Sequence, residues 1–156
     1  MMNHDAELLA GLHPRDVAAV LSLGHPVALS TGDKLFRLGD EADHLFTINR
    51  GRMALTMPMA VRDRAEDILI EERGAGQTVG WSALIPPHRF SLTAAALVET
   101  EVIALPRAAL VEFFTGNPDV GYAVTRNIAT VIGQRLEVFQ AMWLREMQRL
   151  VKLSYA

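Results

Sequence analysis

The side chains that could carry out chemistry in this sequence do not form a catalytic or metal-binding pattern. No two histidines are spaced four residues apart and no H-E-x-x-H sequence occurs, which argues against a zinc hydrolase. Ser82 stands in G-W-S-A rather than in the G-x-S-x-G of a nucleophile elbow, and we expect it to cap a short helix. Asp40, Glu41 and Asp43 fall in a predicted turn. We therefore predict that the protein is not an enzyme and has no catalytic residue, no metal site and no resident cofactor.

Composition narrows the class of protein. The sequence contains no cysteine, which excludes disulfide scaffolds, cysteine nucleophiles, thiolate zinc sites and cysteine-held iron–sulfur clusters. Its 15 Lys and Arg residues are outnumbered by 18 Asp and Glu residues, and the net charge of -3 argues against a protein that coats nucleic acid. The 156 residues suit one domain, 1–156. Since the sequence has neither a signal-peptide pattern nor an apolar stretch of about 18 residues, we predict a cytoplasmic protein without a membrane partner.

Hydrophobic spacing predicts a short helix followed by a β region. Val17, Val20 and Leu21 lie at helical spacing within residues 14–23. From residue 25 to about 105 the sequence consists of short apolar runs separated by glycines and acidic pairs, which is typical of an antiparallel sandwich or roll. The charged run 62–67 is predicted to be the solvated tip of a hairpin. The side chains predicted to face inward from the first strands are Phe36, Leu38, Leu45, Phe46 and Ile48.

The C-terminal third, about 106–153, is predicted to be helical. A first helix ends near Gly116, and Asn117 and Pro118 start a second one, with the Asn117 side chain as its cap. The second helix continues for over 30 residues without an internal proline, about 45 Å at 1.5 Å per residue. Its apolar residues recur every three, four or seven positions in a seam that Glu146 interrupts. These residues are Ile132, Leu136, Phe139, Trp143, Leu150 and Leu153.

The far half of this helix extends beyond what a β core of about 100 residues covers, so its apolar side chains need a partner. We predict a homodimer formed by parallel helices over residues 119–153. The alternative is that Trp143, Met147 and Leu150 fold back onto the same chain. The basic residues of the tail, which we interpret as the outer face of the helix, are Arg145, Arg149 and Lys152.

The run 32–51, GDKLFRLGDEADHLFTINRG, resembles the G-D-x-L-F-x-x-G-D-x-A-D-x-L-F-x-I-x-x-G pattern of the cyclic nucleotide-binding domain family. When the flanking helices are included, the resemblance extends from about residue 12 to residue 153. Within the family, the sequence is most similar to the effector half of catabolite-activator-like and FNR-like bacterial regulators. It implies a mainly β fold with flanking helices, a double-stranded β-helix or jelly roll with a short N-terminal helix and a long C-terminal dimerisation helix. The glycines of the run allow positive φ at the corners of the roll.

The family's phosphate-binding cassette corresponds to residues 76–95. In the family, a short helix offers backbone N–H groups to the cyclic phosphate, an arginine pairs with its charge, and a glutamate accepts a hydrogen bond from the ribose 2′-hydroxyl. Gly80 stands at the cassette glycine, but Trp81 replaces the glutamate and cannot accept that bond. The ribose contact is therefore absent, or a different group makes it. The resemblance gives as ligand-binding candidates Gly80, Trp81, Ser82, Ala83, Leu84, Arg89, Ser91 and Thr93.

The position of the family's arginine falls on Phe90, one residue after Arg89. An insertion in the loop 86–88 would allow the Arg89 side chain to point into the roll. A one-residue shift within a strand would instead turn this side chain to the opposite face. The phosphate prediction thus depends on whether Arg89 points into the roll or is a solvent-exposed loop residue.

The long helix supplies two further candidates. In the family, polar groups face the base about one turn after an Arg-Leu pair, which is Arg135-Leu136 here. Phe139 could then stack on the base and Gln140 could hydrogen-bond its edge. The alternative places Phe139 in the dimer seam and Gln140 in solvent.

Three functions are compatible with these residues. The first is a stand-alone regulatory domain that binds a small anionic effector, such as a cyclic nucleotide, between the cassette and the long helix. The second is a degenerate domain without a ligand, which serves as a dimerising or docking scaffold for a protein partner. The third is a transcription regulator that acts with a separate DNA-binding chain. Transcription factors of the family bind DNA through a winged helix-turn-helix that follows the long helix. We expect no direct contact between this domain and nucleic acid. A roll filled by Trp81 or Phe90 would favour the second function, and a cavity ringed by backbone N–H groups and Arg89 the first.

Overall fold

The β region forms the predicted jelly roll between helices. The computed structural model describes residues 6–155. A 3₁₀ helix, Glu7–Leu9, precedes α1, Pro14–Leu21, whose three predicted apolar residues are buried. In chain order the remaining elements are β1 His25–Leu29, β2 Lys34–Phe36, β3 His44–Arg50, β4 Arg52–Val61, β5 Arg64–Gly74, β6 Thr78–Val79, a second 3₁₀ helix Trp81–Ala83, β7 Thr93–Ala96, β8 Thr100–Pro106, α2 Arg107–Gly116 and α3 Pro118–Ser154.

Two four-stranded antiparallel sheets enclose the core. The strand order is β1-β8-β3-β6 in one sheet and β2-β7-β4-β5 in the other. Side chains from both sheets, such as Leu45 of β3 and Met53 of β4, are fully buried in one apolar cluster. α1, α2 and the first half of α3 also contribute to this cluster, so the helices are packed onto the roll.

The run 32–51 forms β2, β3 and the corner between them. Leu38 is 40% exposed, and its predicted inward orientation is wrong, because β2 ends at Phe36 and the chain turns at Gly39, where φ is +91°. The Leu38 amide instead donates to the Thr93 hydroxyl at 3.0 Å. The other predicted inward-facing side chains are buried; they are Phe36, Leu45, Phe46 and Ile48.

Two side chains predicted to cap helices act differently. Asn117 alone separates α2 from α3, and its Nδ2 donates to the carbonyl oxygen of Phe113 at 3.0 Å. It therefore satisfies the end of α2 and provides no side-chain cap for α3, although Pro118 opens α3 as predicted. Ser82 lies inside the second 3₁₀ helix, which follows the left-handed Gly80 and has no side-chain cap. Both cap predictions are wrong, because the Asn117 side chain is turned back to α2 and because Gly80, not Ser82, occupies the N-cap position of the 3₁₀ helix.

β4 and β5 form the predicted hairpin, with a shorter tip than the charged run suggested. The turn consists of Arg62 and Asp63, and Arg62 has φ +56°. Residues 64–67 belong to β5 and are exposed. The charged end of the hairpin therefore extends the two-stranded ribbon into solvent.

α3 is 37 residues long, about 55 Å at 1.5 Å per residue. Its buried residues end at Arg135, and no described residue of α3 after Arg135 is buried. The side chains that face the roll are spaced by three or four residues, as in an amphipathic helix. They are Val120, Val124, Ile128, Val131 and Arg135.

Candidate functional site

The residues that correspond to the cassette form a tight turn between β6 and β7. Gly80 has φ +83°, and a Cβ atom at this position would lie 3.2 Å from Cε1 of Phe90, so the turn requires glycine. The amides of Ala83 and Leu84 donate to the carbonyl oxygens of Gly80 and Trp81. These N–H groups are therefore used within the turn and are not directed at an external phosphate.

Phenyl rings fill the interior of the roll beside this turn. Phe90 is 5% exposed, and its ring stacks on Phe36 with centroids 3.7 Å apart and an interplanar angle of 12°. Phe36 also stacks on Phe46, with centroids 5.8 Å apart. The cavity that remains has a volume of about 10 Å³, room for about one water molecule, whereas pockets for small-molecule ligands measure about 300–1,000 Å³. In this conformation the cavity cannot hold a cyclic nucleotide.

Arg89 lies on the outside of the roll. Its Nη1 donates to the carbonyl oxygen of Gly39 at 3.0 Å, and the residue is exposed. Its backbone pairs with Glu41 in an isolated antiparallel bridge. Because side chains alternate along an extended backbone, the next residue, Phe90, faces the interior. The structure thus places a phenyl ring at the position where the resemblance places the family's arginine.

The remaining predicted ligand-binding residues fall into two groups. Those that line the small cavity are Gly80, Trp81, Ser82 and Ser91. Those that do not line it are Ala83, Leu84, Arg89, Thr93, Phe139 and Gln140. Phe139 is half-buried against the core and Gln140 is exposed. Trp81 is half-buried and Ser91 exposed, so the cavity is reached from the surface.

Arg135 of α3, which was not predicted as a site residue, lines the same cavity. It is 7% exposed, and its Nε donates to Oε2 of Glu71 at 2.5 Å. On α3 it occupies the next roll-facing position after Val131. Arginine is rarely buried without a partner, so an arginine on the apolar face of an amphipathic helix was the sequence signal that could have identified it.

Arg135 ends a chain of four alternating charges that joins three elements. Glu71 of β5 also accepts a hydrogen bond from Nη1 of Arg73 at 3.3 Å, and Arg73 pairs in turn with Glu7 of the first 3₁₀ helix. The side chains of Arg73 and Arg135 are 3% and 8% exposed. Buried charges are tolerated when they are paired, and here two positive and two negative groups cancel. The chain fixes α3 and the N-terminal turn to β5.

Within residues 6–155 no group of three or more His, Asp or Glu side chains is arranged to hold a metal ion. None of the helices in the same range is long and apolar enough to cross a bilayer.

Comparison with known structures supports the fold. A cyclic nucleotide-binding domain from Methylobacillus flagellatus superposes with a TM-score of 0.76 at 20% identity, covering 89% of this chain and 82% of that one. The N-terminal domain of a transcriptional regulator from Streptomyces coelicolor superposes with a TM-score of 0.69 at 26% identity, covering 82% of this chain and 89% of that one. The catabolite activator protein of Thermus thermophilus superposes with a TM-score of 0.73 at 23% identity, covering 92% of this chain but 63% of that one. The present chain thus spans less than two thirds of the activator's length.

Sequence comparison gives the family directly. No curated protein matches the chain significantly in sequence. The model of the cyclic nucleotide-binding domain matches residues 26–117, which contain all eight strands and α2 apart from the first residue of β1. This match covers more than half of the chain, and the jelly roll agrees with it. The chain therefore belongs to the cyclic nucleotide-binding domain family.

Proposed function

We propose that this chain is a non-enzymatic, dimerising regulatory module whose roll is closed to cyclic nucleotides. The observation that carries the proposal is the second half of α3, residues 136–154, where large apolar side chains are exposed. Exposed apolar patches of this kind mark interaction surfaces. The most exposed of them are Leu136, Trp143, Leu144, Leu150, Val151 and Leu153.

The spacing of these residues favours a second copy of the helix as the partner. Leu136, Phe139, Trp143, Leu150 and Leu153 follow the alternating three- and four-residue steps of a heptad seam. Glu146 occupies the seam position between Trp143 and Leu150. Parallel pairing sets each seam residue against the same residue of the other copy, which is the self-complementary arrangement of a two-fold dimer.

Closure of the roll supports the assembly role over nucleotide sensing. Trp81 stands at the family's ribose-binding glutamate, Phe90 at its arginine, and the remaining cavity has a volume of about 10 Å³. Opening a nucleotide-sized space would require the stacked Phe36 and Phe90 rings to separate. Loss of a phenyl ring from a core costs about 3–5 kcal/mol, so a cyclic nucleotide would bind at a substantial energetic penalty.

Calorimetry and sedimentation test the proposal together. Titration with cyclic AMP or cyclic GMP to millimolar concentration is expected to give no binding heat and no shift in melting temperature. Sedimentation equilibrium is expected to give a dimer at micromolar protein. A saturable heat with either nucleotide would contradict closure, and a monomer at about 100 μM would contradict assembly.

A second function, sensing of a small anion, is supported by the buried Arg135 at the cavity. The size of this cavity limits the effector to a group much smaller than a nucleotide. A protein partner, including a separate DNA-binding chain, would bind the outside of the dimer. Affinity capture with the wild-type chain and with a monomeric seam variant tests that role, because a partner of the dimer is retained by the wild type alone.

A further inference from the structure

We propose that a second apolar stripe on the far half of α3, formed by Leu144, Met147 and Val151, binds an acidic amphipathic helix of a partner protein. The three residues are spaced by three and four positions, the pattern of a helix face that packs against another helix. The inference rests on the proposed function, because the dimer is expected to cover the seam and to leave this stripe free. It adds the surface that receives a partner and the chemistry of that partner.

The second stripe lies beside the seam and does not coincide with it. Each of its residues comes one position after a seam position, 143, 146 or 150, and successive residues of an α-helix are rotated by about 100°. Two helices that pack along the seam therefore bury Trp143 and Leu150 and leave Leu144 and Val151 to one side.

The stripe is exposed on the chain itself. Leu144 and Val151 are each 53% exposed, and Met147, which lies between them in the sequence, is half-buried. Together with Gln148 and Lys152, these side chains line a shallow groove. Large apolar side chains that line an open groove indicate a surface for another molecule, and a groove along a helix fits the apolar face of a second helix.

The charge at the groove favours an acidic partner. Of the described residues that line it, Lys152 alone carries a charge. Arg145 follows Leu144 at the outer edge of the stripe, as Lys152 follows Val151. Within residues 6–155 neither of these cations forms a salt bridge. Acidic side chains beside the apolar face of a partner helix would pair with both, and such complementary charges select the partner.

A second copy of the same stripe is a poorer match. In a parallel pair each Lys152 would lie beside the Lys152 of the other copy, and like charges repel. In an antiparallel pair, the register that sets Leu144 against Met147 also sets Val151 against Gln140, an apolar side chain against a polar one. The occupant is therefore a helix of a different protein, with acidic residues beside its apolar face.

Two synthetic peptides test the inference on the full chain. Each has three heptads with leucine at positions a and d, and positions e and g are glutamate in one peptide and lysine in the other. Fluorescence anisotropy follows the binding of each labelled peptide to the wild-type protein at about 150 mM salt. The glutamate peptide is expected to bind saturably and at least tenfold more tightly than the lysine peptide, and higher salt is expected to weaken its binding.

Substitutions on the stripe and outside it locate the peptide. The double variant Leu144→Gln, Val151→Gln is expected to weaken binding of the glutamate peptide at least tenfold and to leave the dimer unchanged in sedimentation. Arg145→Glu combined with Lys152→Glu is expected to reverse the preference, so that the lysine peptide binds more tightly. Tyr122→Gln, the matched control, removes an exposed apolar side chain from the other half of α3 and should leave peptide binding unchanged.

A seam variant separates this inference from the dimer. Leu153 lies on the side of the seam away from the second stripe. Leu153→Gln is therefore expected to weaken the dimer and to leave the affinity for the glutamate peptide unchanged. Sedimentation without peptide reports the dimer alone. A monomeric wild type that bound the glutamate peptide through the stripe would contradict the dimer and support the stripe.

Five results would overturn the inference. Absence of saturable binding of the glutamate peptide, or equal binding of the lysine peptide, would exclude an acidic helix. Full affinity in the double variant would place the peptide elsewhere. A wild-type tetramer that the double variant converts to a dimer would assign the stripe to a second copy. Flotation of the wild type with phosphatidylserine vesicles, lost in the double variant, would assign the stripe to a bilayer surface.

Discussion

The two halves of α3 are both rich in apolar residues but have opposite surroundings. From 118 to 135 most of the large apolar residues face the roll, and Val124 and Ile128 are almost completely buried, whereas Tyr122 is exposed. From 136 to 154 no residue is buried, and Trp143 is 65% exposed. The roll-facing stripe continues past Arg135 to Phe139, which is half-buried against the core. One helix thus has two apolar faces, one that stabilises the chain itself and one that is available to a second chain.

The largest expected effect comes from the first half of α3. Ile128→Ala removes a side chain that is 1% exposed and should lower the free energy of unfolding by about 2–5 kcal/mol, through lost burial and a new cavity. Urea unfolding followed by circular dichroism at one protein concentration measures it. Thr125→Ala, on the exposed side of the same helix, is the control and should change stability by less than about 0.5 kcal/mol. Equal effects of the two substitutions would contradict the burial of this face.

A smaller effect, on assembly rather than on folding, is expected in the second half. Trp143→Ala should weaken the dimer by about 2 kcal/mol, roughly thirtyfold in dissociation constant, because tryptophan is a frequent hot spot of interfaces. Sedimentation equilibrium measures the change, and the helical content should remain. Arg145→Ala, on the opposite face of the same helical turn, should leave the dimer unchanged. A wild-type dissociation constant in Trp143→Ala would place the interface elsewhere.

Glu146 provides a test in the stabilising direction. It occupies a seam position, where a parallel dimer brings two carboxylates together without a partner charge. Glu146→Leu should strengthen the dimer by about 1 kcal/mol, since it removes this repulsion and adds buried apolar surface. Arg145→Leu adds apolar surface on the opposite face of the helix and serves as the control in the same sedimentation experiment. If Arg145→Leu strengthened the dimer more than Glu146→Leu, the seam would be assigned incorrectly.

The smallest effect concerns the surface of the roll, which neither half of α3 covers. A hydrogen bond from the His44 ring, at 2.9 Å, holds the pKa of the Asp43 carboxyl below its ordinary value of 3.8. A lowered folded pKa stabilises the fold above 3.8, and this stability is lost as the pH falls through the lowered value. The Asp43 side chain is 68% exposed, so Asp43→Asn should cost less than about 1 kcal/mol at pH 7.

Unfolding of Asp43→Asn and of the wild type at a series of pH values checks this sign. The difference in stability should be present at pH 7 and should disappear in strong acid, where the wild-type carboxyl is also protonated. A difference that grew below pH 3 would mean that the folded pKa is raised rather than lowered.

The roll could be predicted from the sequence because its determinants are local. The run 32–51 carries the corner glycines and the buried side chains of β2 and β3 within 20 residues. Leu38 departs from this pattern because β2 ends at Phe36, two residues before it. The extent of the β region, the presence of the hairpin and the end of α2 near Gly116 were therefore predicted, whereas the bounds of the individual strands were not.

The site was less accessible to sequence reasoning, because it depends on register and on distant contacts. Successive side chains of an extended segment point to opposite faces, so a shift of one residue decides whether Arg89 or Phe90 faces the interior. The length of the loop 86–88 is compatible with either orientation, so the sequence alone could not decide between them. The partner of Arg135 is Glu71, 64 positions away in the sequence. Periodicity marks Arg135 as roll-facing, but the charge that compensates it is fixed by the tertiary fold.

A distance between two copies of the chain tests the central claim most directly. Because the sequence has no cysteine, Lys152→Cys places one spin label per chain on the exposed end of α3. Helices packed at 8–10 Å with a diameter of about 10–12 Å should give a single narrow distance below about 40 Å by pulsed electron paramagnetic resonance. Cyclic AMP should leave that distance unchanged. Absence of dipolar coupling at about 100 μM protein, or a distance beyond about 50 Å, would contradict assembly through the second half of α3.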